Sequence, residues 1–220
     1  MKLNGVRAVL FDLDGTFADT APDLARALNR VRAERGLAAL PAEIARPHTS
    51  SGARGLLKAG FDITPDNGEY RVLRERFLDF YEEELCVDTR IFDGIPEVLA
   101  RIQARHLPWG IVTNKGKRFT EPLLRLLAVD HLAACAVSGD STAHTKPHPA
   151  PLLLAASLLK LEPASCVYVG DDLRDAQAAR AAGMSFLAAG WGYLGEDGDP
   201  HAWGADAVLS RPHDILDLLP

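Results

Sequence analysis

Apolar residues along this chain gather into short runs that end abruptly in polar groups. Residues 6–11, 109–113, 166–170, 185–188 and 207–209 are such runs. Each has strand length and stays largely apolar on consecutive positions, as strands buried on both faces do. Helical patterns separate them, and the alternation predicts a mainly parallel sheet covered by helices on both sides. In such a sheet a ligand site lies beyond the carboxyl ends of the strands, where the strand order reverses. Three of the runs end in groups suited to chemistry there: Asp12 and Asp14, then Thr113 and Asn114, then Asp171.

Residues 17–89 read differently, with helical patterns and no convincing strand. Thr20 and Asp23 have the spacing of a capping box, and Pro22 suits a first turn. Leu24, Ala27, Leu28 and Val31 then form one helix face, which Gly36 stops. A second helix is predicted over residues 67–85, with Leu73, Phe77, Phe80 and Tyr81 on one stripe. Pro96 marks the return to the alternating pattern, in a turn leading into a helix that ends near Arg105. The domain expectation is therefore an α/β core made of residues 1–16 and 90–220, with a small helical domain, residues 17–89, inserted after the first strand.

Composition narrows the possible partners. Of the 220 residues, 47% are hydrophobic and 25% charged, enough to build a substantial core. The 24 Lys+Arg against 30 Asp+Glu give a formal charge of -6, and no basic cluster is present to neutralise a phosphate backbone, which argues against nucleic acid. No segment has the apolar length to span a bilayer. The N-terminal stretch, Met1-Lys2-Leu3-Asn4-Gly5 followed by the run at 6–11, is too short for a signal peptide. Cys86, Cys135 and Cys166 are far apart and lack metal-ligand spacing, so free thiols in a reducing cytoplasm are expected. A small molecule is the expected partner of a monomer or homodimer.

The chemistry-bearing residues begin with Phe11-Asp12-Leu13-Asp14-Gly15-Thr16, where two carboxylates face one side of an extended segment. Like charges held together are costly unless a cation joins them. Mg2+ favours oxygen ligands and is commonly held by carboxylates together with substrate phosphate. Taken alone, the string also reads as a solvated turn. Val169-Gly170-Asp171-Asp172-Leu173-Arg174-Asp175 repeats the strand-then-acid arrangement, and helix capping accounts for one of its acids better than for three. Thr113 and the backbone amides after it suit phosphate oxygens. Lys146 lies between the two acidic motifs, just before a helix beginning near residue 149; a lone lysine is ordinarily a solvated surface charge.

The ordered set Asp12-Leu13-Asp14-Gly15-Thr16, Thr113-Asn114, Lys146-Pro147 and Gly170-Asp171-Asp172 with Asp175 resembles the four motifs of the haloacid dehalogenase superfamily, across the whole chain. The resemblance implies a Rossmann-like three-layer α/β core, a helical cap of the C1 type, and a Mg2+-dependent phosphatase acting on a small phosphorylated metabolite. Ser51-Gly52-Ala53-Arg54, the stretch at 109–115 and Trp203-Gly204-Ala205-Asp206 look like phosphoglycolate phosphatases. The same segments resemble the bacterial N-acetylmuramic acid 6-phosphate phosphatases. The expected substrate is 2-phosphoglycolate, with the muramic acid ester as the alternative.

By this resemblance Asp12 is the nucleophile that forms an aspartyl-phosphate. Asp14 protonates the leaving oxygen and then activates water, which requires a raised pKa, while metal contact keeps Asp12 ionised. The implied metal ligands are the Asp12 side chain, the Asp14 carbonyl and Asp171, with Asp175 supporting them from outside. Thr113 and the Asn114 amide bind the phosphoryl oxygens, and Lys146 offsets charge on Asp12 and the phosphoryl group. In the cap, Arg54 grips a substrate carboxylate, and His48 either touches substrate or lies idle on the surface. Phe17-Ala18-Asp19 departs from relatives that carry leucine directly after the first motif, at the cap hinge. A dehalogenase would need neither Asp14 nor Mg2+; a phosphomutase would keep every core motif; an inactive scaffold would have lost some of them.

Overall fold

All five predicted strands form in the computed structural model, which describes residue 3 and residues 5–195 and 198–219. Met1, Lys2 and Asn4 of the N-terminal reading lie outside the described residues. The chain runs β1 (Ala8–Phe11), β2 (Ala18–Asp19), α1 (Ala21–Glu34), α2 (Ala42–Ala45), a 3-10 turn (Arg46–Ser51), α3 (Gly52–Phe61) and α4 (Tyr70–Glu83). It continues through β3 (Arg90–Ile91), α5 (Ile95–Ala104), β4 (Trp109–Val112), α6 (Lys117–Leu126), β5 (Cys135–Val137) and α7 (Ala150–Leu159). The remaining elements are β6 (Cys166–Gly170), α8 (Leu173–Ala182), β7 (Ser185–Ala189), β8 (Ala207–Leu209) and α9 (Asp214–Leu218).

The sheet has the order β5-β4-β1-β6-β7-β8, and every neighbouring pair is parallel. Alternate residues of β1 feed two separate cores. Val9 and Phe11 pack with α5, α6, α9 and the helices of residues 21–83, while Ala8 and Leu10 pack with α7 and α8. This is the three-layer arrangement, and it makes every strand residue of β1 and β6 inaccessible to water. The chain leaves β1 first toward β4 and later toward β6, so the order reverses at β1, and the carboxyl ends of β1, β4 and β6 meet there.

Three local expectations are corrected. The stretch 17–89 does contain a strand: Ala18–Asp19 pairs antiparallel with Arg90–Ile91, binding the chain where it enters and leaves the helices. Two residues are too few to show a period. The edge strand β5, three residues with an exposed middle one inside an alanine-rich stretch of weak strand preference, escaped the sequence reading. The second helix begins at Tyr70 and not at residue 67, since Asn67 folds back to accept from the Glu69 N–H at 2.9 Å.

The third correction concerns the start of α1. Thr20 is its N-cap residue, but no side-chain capping bond forms. The Thr20 hydroxyl donates to Asp14 at 2.6 Å, and Asp23 accepts instead from the N–H groups of Val87, Asp88 and Thr89 and from the Thr89 hydroxyl. At the other end Gly36 behaves as predicted. It adopts φ +67, donates to Ala33, and Leu37 donates to Arg32, closing a Schellman turn.

Asp23 is thus a buried clasp between the first turn of α1 and the segment returning to the sheet. Although burial opposes it, bonds from Thr89, Asp88 and Arg26 hold its carboxyl below the usual range. A depressed folded-state value means that the stabilisation is present above the unfolded value of 3.8 and is lost as pH falls through the folded one. Asp23→Asn turns an NH2 group toward N–H donors, and we expect it to cost about 2–4 kcal/mol at pH 7. Denaturant titrations should show the deficit shrinking below about pH 4. A deficit unchanged from pH 7 to pH 3 would rule the clasp out.

Candidate active site

The first, second and fourth motifs occupy the ends of β1, β4 and β6, because the parallel register brings those ends level. Asp12, Asp171 and Asp175 converge there, with one carboxylate oxygen of each within 4.8 Å of the others. Asp171 and Asp175 are buried and Asp12 nearly so. Lys146 reaches this cluster from the loop before α7. Its ammonium lies 2.8 Å from Asp12 and 2.7 Å from Asp175, and it donates to the Tyr168 hydroxyl at 2.6 Å. The loop is held by Asn114, whose side-chain amide exchanges two 2.9 Å bonds with the Lys146 backbone.

Burial pushes the Asp12 carboxyl up to about 7, Lys146 pulls it back, and Asp175 and Asp14 add to the rise. Asp171 is pushed well above the carboxylate range by burial and by the charges of Asp12 and Asp175. Against burial, Asp12 and Asp175 raise Lys146 to about 12, so it is a fixed cation at neutral pH. Asp171 is oriented by the Thr16 hydroxyl and by the Tyr193 N–H, each at 2.8 Å. Gly15, at φ +85, leaves room that a Cβ would take from Asp171 and Tyr193. Three buried carboxylates against one ammonium is a donor set that fits a divalent cation with oxygen ligands.

Asp14 stands beside this cluster in a different setting. Lys115 pairs with it at 3.0 Å and Thr20 donates to it. Thr113 is buried, and its hydroxyl accepts from the Lys115 N–H at 3.1 Å. Asp172 turned out to cap α8 in a box with Asp175, so the capping alternative holds for that acid. Asp175 therefore serves both the box and the cluster. Asp12, Asp14, Thr113, Asn114, Lys146 and Asp175 line a cavity of about 330 Å³, together with Arg54, Lys115 and Tyr81, and Asp171 lies outside its lining. His48 is not among the lining residues.

A sequence model for haloacid dehalogenase-like hydrolases matches residues 9–189. The chain belongs to that family. It is 41% identical, over 100% of its own length and 97% of the relative's, to an N-acetylmuramic acid 6-phosphate phosphatase of Pseudomonas aeruginosa. It is 43% identical, over 94% of its length and 93% of the relative's, to a phosphoglycolate phosphatase of Xanthomonas campestris pv. campestris. Among solved structures it resembles that of a predicted phosphoglycolate phosphatase from Haemophilus somnus 129pt, with a TM-score of 0.86 and 27% identity over 97% of this chain and 98% of the other. Family and relatives together make this hydrolase a phosphomonoester hydrolase.

Several residues of the site escaped the sequence reading. Tyr168 sits inside a strand, and only the pleat shows that it points to Lys146 and donates to the Val112 carbonyl at 2.8 Å. Tyr193 lies in coil, yet its hydroxyl accepts from the Thr20 and Ala21 N–H groups at 2.8 and 2.9 Å and donates to Asp19 at 2.9 Å. It caps α1 from the far side of the chain, while its own N–H holds Asp171. Arg174 grips Asp172 and donates to the Ser50 carbonyl at 2.6 Å, joining α8 to the 3-10 turn that leads into α3, the helix carrying Arg54. Lys115 had a signal, its place beside Thr113 and Asn114, that went unused.

Proposed function

We propose that this enzyme is a Mg2+-dependent phosphatase acting through an aspartyl-phosphate on N-acetylmuramic acid 6-phosphate, as a monomer or homodimer in the cytoplasm. Residues 17–89 serve as the cap and the remainder as the core. The observation that carries the choice of substrate is the cavity. At about 330 Å³ it enters the range of roughly 300–1,000 Å³ that suits a ligand of many atoms. Its walls include Leu24, Tyr70, Phe77, Leu78 and Phe119, an apolar surface on which a sugar ring can lie and which a two-carbon leaving group would leave wet. The relatives at 41% and 40% identity named for that sugar phosphate support the reading. The second reading, 2-phosphoglycolate, rests on the relatives of that name.

In this mechanism an Asp12 oxygen attacks phosphorus as the bond to the leaving oxygen breaks, and Asp14 passes its proton to that oxygen. Water then attacks the phosphorus of the aspartyl-phosphate, giving its proton to Asp14 and freeing the Asp12 carboxylate. Thr113 and the Asn114 N–H hold the phosphoryl oxygens, and Lys146 offsets their charge. Asp12, the Asp14 carbonyl and Asp171 would hold Mg2+, with Asp175 adjoining, and the ion supplies positive charge to the phosphoryl oxygens when bound. Arg54 faces the substrate carboxylate from the cap.

Phosphate release from the two esters, measured side by side, tests the choice. We expect kcat/KM to favour N-acetylmuramic acid 6-phosphate by about 10-fold or more. The opposite preference would assign the enzyme to 2-phosphoglycolate, and release from neither would remove both substrates.

A further inference from the structure

One O–H donor in the cavity has no acceptor among the described residues. The Tyr81 hydroxyl, on α4, is buried and approached by the Lys115 ammonium, which can only donate to it, so among the described residues its own O–H has no acceptor, although its side chain lines the cavity. The residue is 1% exposed, and an orphaned polar atom at that depth is costly. Burial, with Lys115 opposing, raises the phenol to about 12, so it stays protonated and able to donate. Its neighbour is the ammonium of Lys115, 4.7 Å above the Tyr81 ring and paired with Asp14 at 3.0 Å. An O–H and an N–H donor therefore stand together beside Asp14.

We propose that Tyr81 and Lys115 form a leaving-group subsite for an acceptor oxygen borne by the carbon next to the one that carries the phosphoester. The inference rests on the reading of Asp14 as the residue that protonates the leaving oxygen, because that role places the adjoining carbon against Lys115 and Tyr81. Both candidate substrates have such an oxygen, a carboxylate oxygen in 2-phosphoglycolate and the ring oxygen in the muramic acid ester. Tyr81 is a specificity-determining residue that completes its hydrogen bonding only when substrate is present. The walls around it, Phe77, Leu78 and Phe119, offer no competing partner.

The test is Tyr81→Phe, assayed on whichever of the two esters the wild type prefers and on p-nitrophenyl phosphate, which lacks that oxygen. Loss of one hydrogen bond to substrate should lower kcat/KM for the preferred ester about 10-fold to 100-fold if the acceptor is charged, and several-fold if it is not. Turnover of p-nitrophenyl phosphate should stay within about twofold. The melting temperature should hold or rise, since the O–H donates to nothing in the folded protein and Lys115 keeps its ion pair with Asp14. Equal losses on both compounds, no loss on either, or a lower melting temperature with a parallel loss would overturn the subsite. A wild type that hydrolyses p-nitrophenyl phosphate but neither ester would sink the substrate reading, and the subsite with it; turnover of an ester with an unchanged Tyr81→Phe ratio would sink the subsite alone.

Discussion

Asp12→Asn is expected to lower kcat by about 10⁴-fold or more, because an amide cannot form the aspartyl-phosphate on which the proposed mechanism depends. The substitution is nearly isosteric, and the position is fixed by the backbone: the Asp12 N–H donates to the Val169 carbonyl at 2.9 Å whatever the side chain is. Lys146 keeps Asp175 and Tyr168 as partners when Asp12 loses its charge. The variant also removes a carboxyl that burial raises to about 7, so its folded state loses a source of repulsion with Asp175. Circular dichroism should be unchanged, and substrate affinity should survive within an order of magnitude. Acid-quenched wild type turning over substrate should carry covalent phosphate, and the variant none. Turnover by the variant within tenfold of wild type would remove Asp12 from the nucleophile's role.

The parts of this fold that could be read from the sequence share a physical cause. Strands buried on both faces have no polar side to interrupt them, so β1, β4, β6 and β7 appear as apolar runs, and the partly buried edge strand β8 shows as a shorter one. The carboxylates that end β1 and β6 stand out because nothing in a solvated turn requires so many acids at two strand ends. Asp12 and Asp171, 159 positions apart by their numbers, meet because β1 and β6 are adjacent and in register. That adjacency follows from parallel topology, and a sequence reading reaches it only through the whole pattern.

What could not be read is how polar side chains choose among partners that the fold brings close. Thr20 and Asp23 have capping-box spacing, yet each spends its side chain on a distant segment, Thr20 on Asp14 and Asp23 on residues 87–89. The N–H groups left at the start of α1 are satisfied by a phenol 172 and 173 positions away in sequence. Local spacing specifies which bonds can form, and tertiary packing decides which do. The same limit hid Tyr81. It was legible as one residue of an apolar helical stripe, and that reading is correct for its ring, which is buried in the core cluster. Only the cavity beside it shows that the hydroxyl at its tip lacks an acceptor among the described residues.

Removing the metal is the second large effect. Chelation should abolish turnover, and Mg2+ added to metal-free protein should raise the melting temperature. Asp12, Asp171 and Asp175 crowd one another with Lys146 as the ammonium between two of them, while Asp171 is held by neutral donors, the Thr16 hydroxyl, the Tyr193 N–H and, at 3.5 Å, the Ser50 hydroxyl. Burial and mutual repulsion disfavour their charged forms, so a cation bound only by the folded chain relieves a cost that the unfolded chain never has. At a hundredfold excess over Kd the gain is about 2.7 kcal/mol, or roughly 5–10 °C for a chain of this size. Asp171→Asn separates this from a purely structural role. The amide oxygen can still accept from Thr16 and Tyr193, and a negative charge is gone, so the metal-free variant should melt no lower than the metal-free wild type. It should nevertheless lose the Mg2+-dependent rise. A structural carboxylate would give the reverse pattern, a lower melting temperature with the metal response intact, and full turnover in excess chelator would exclude the metal from the reaction.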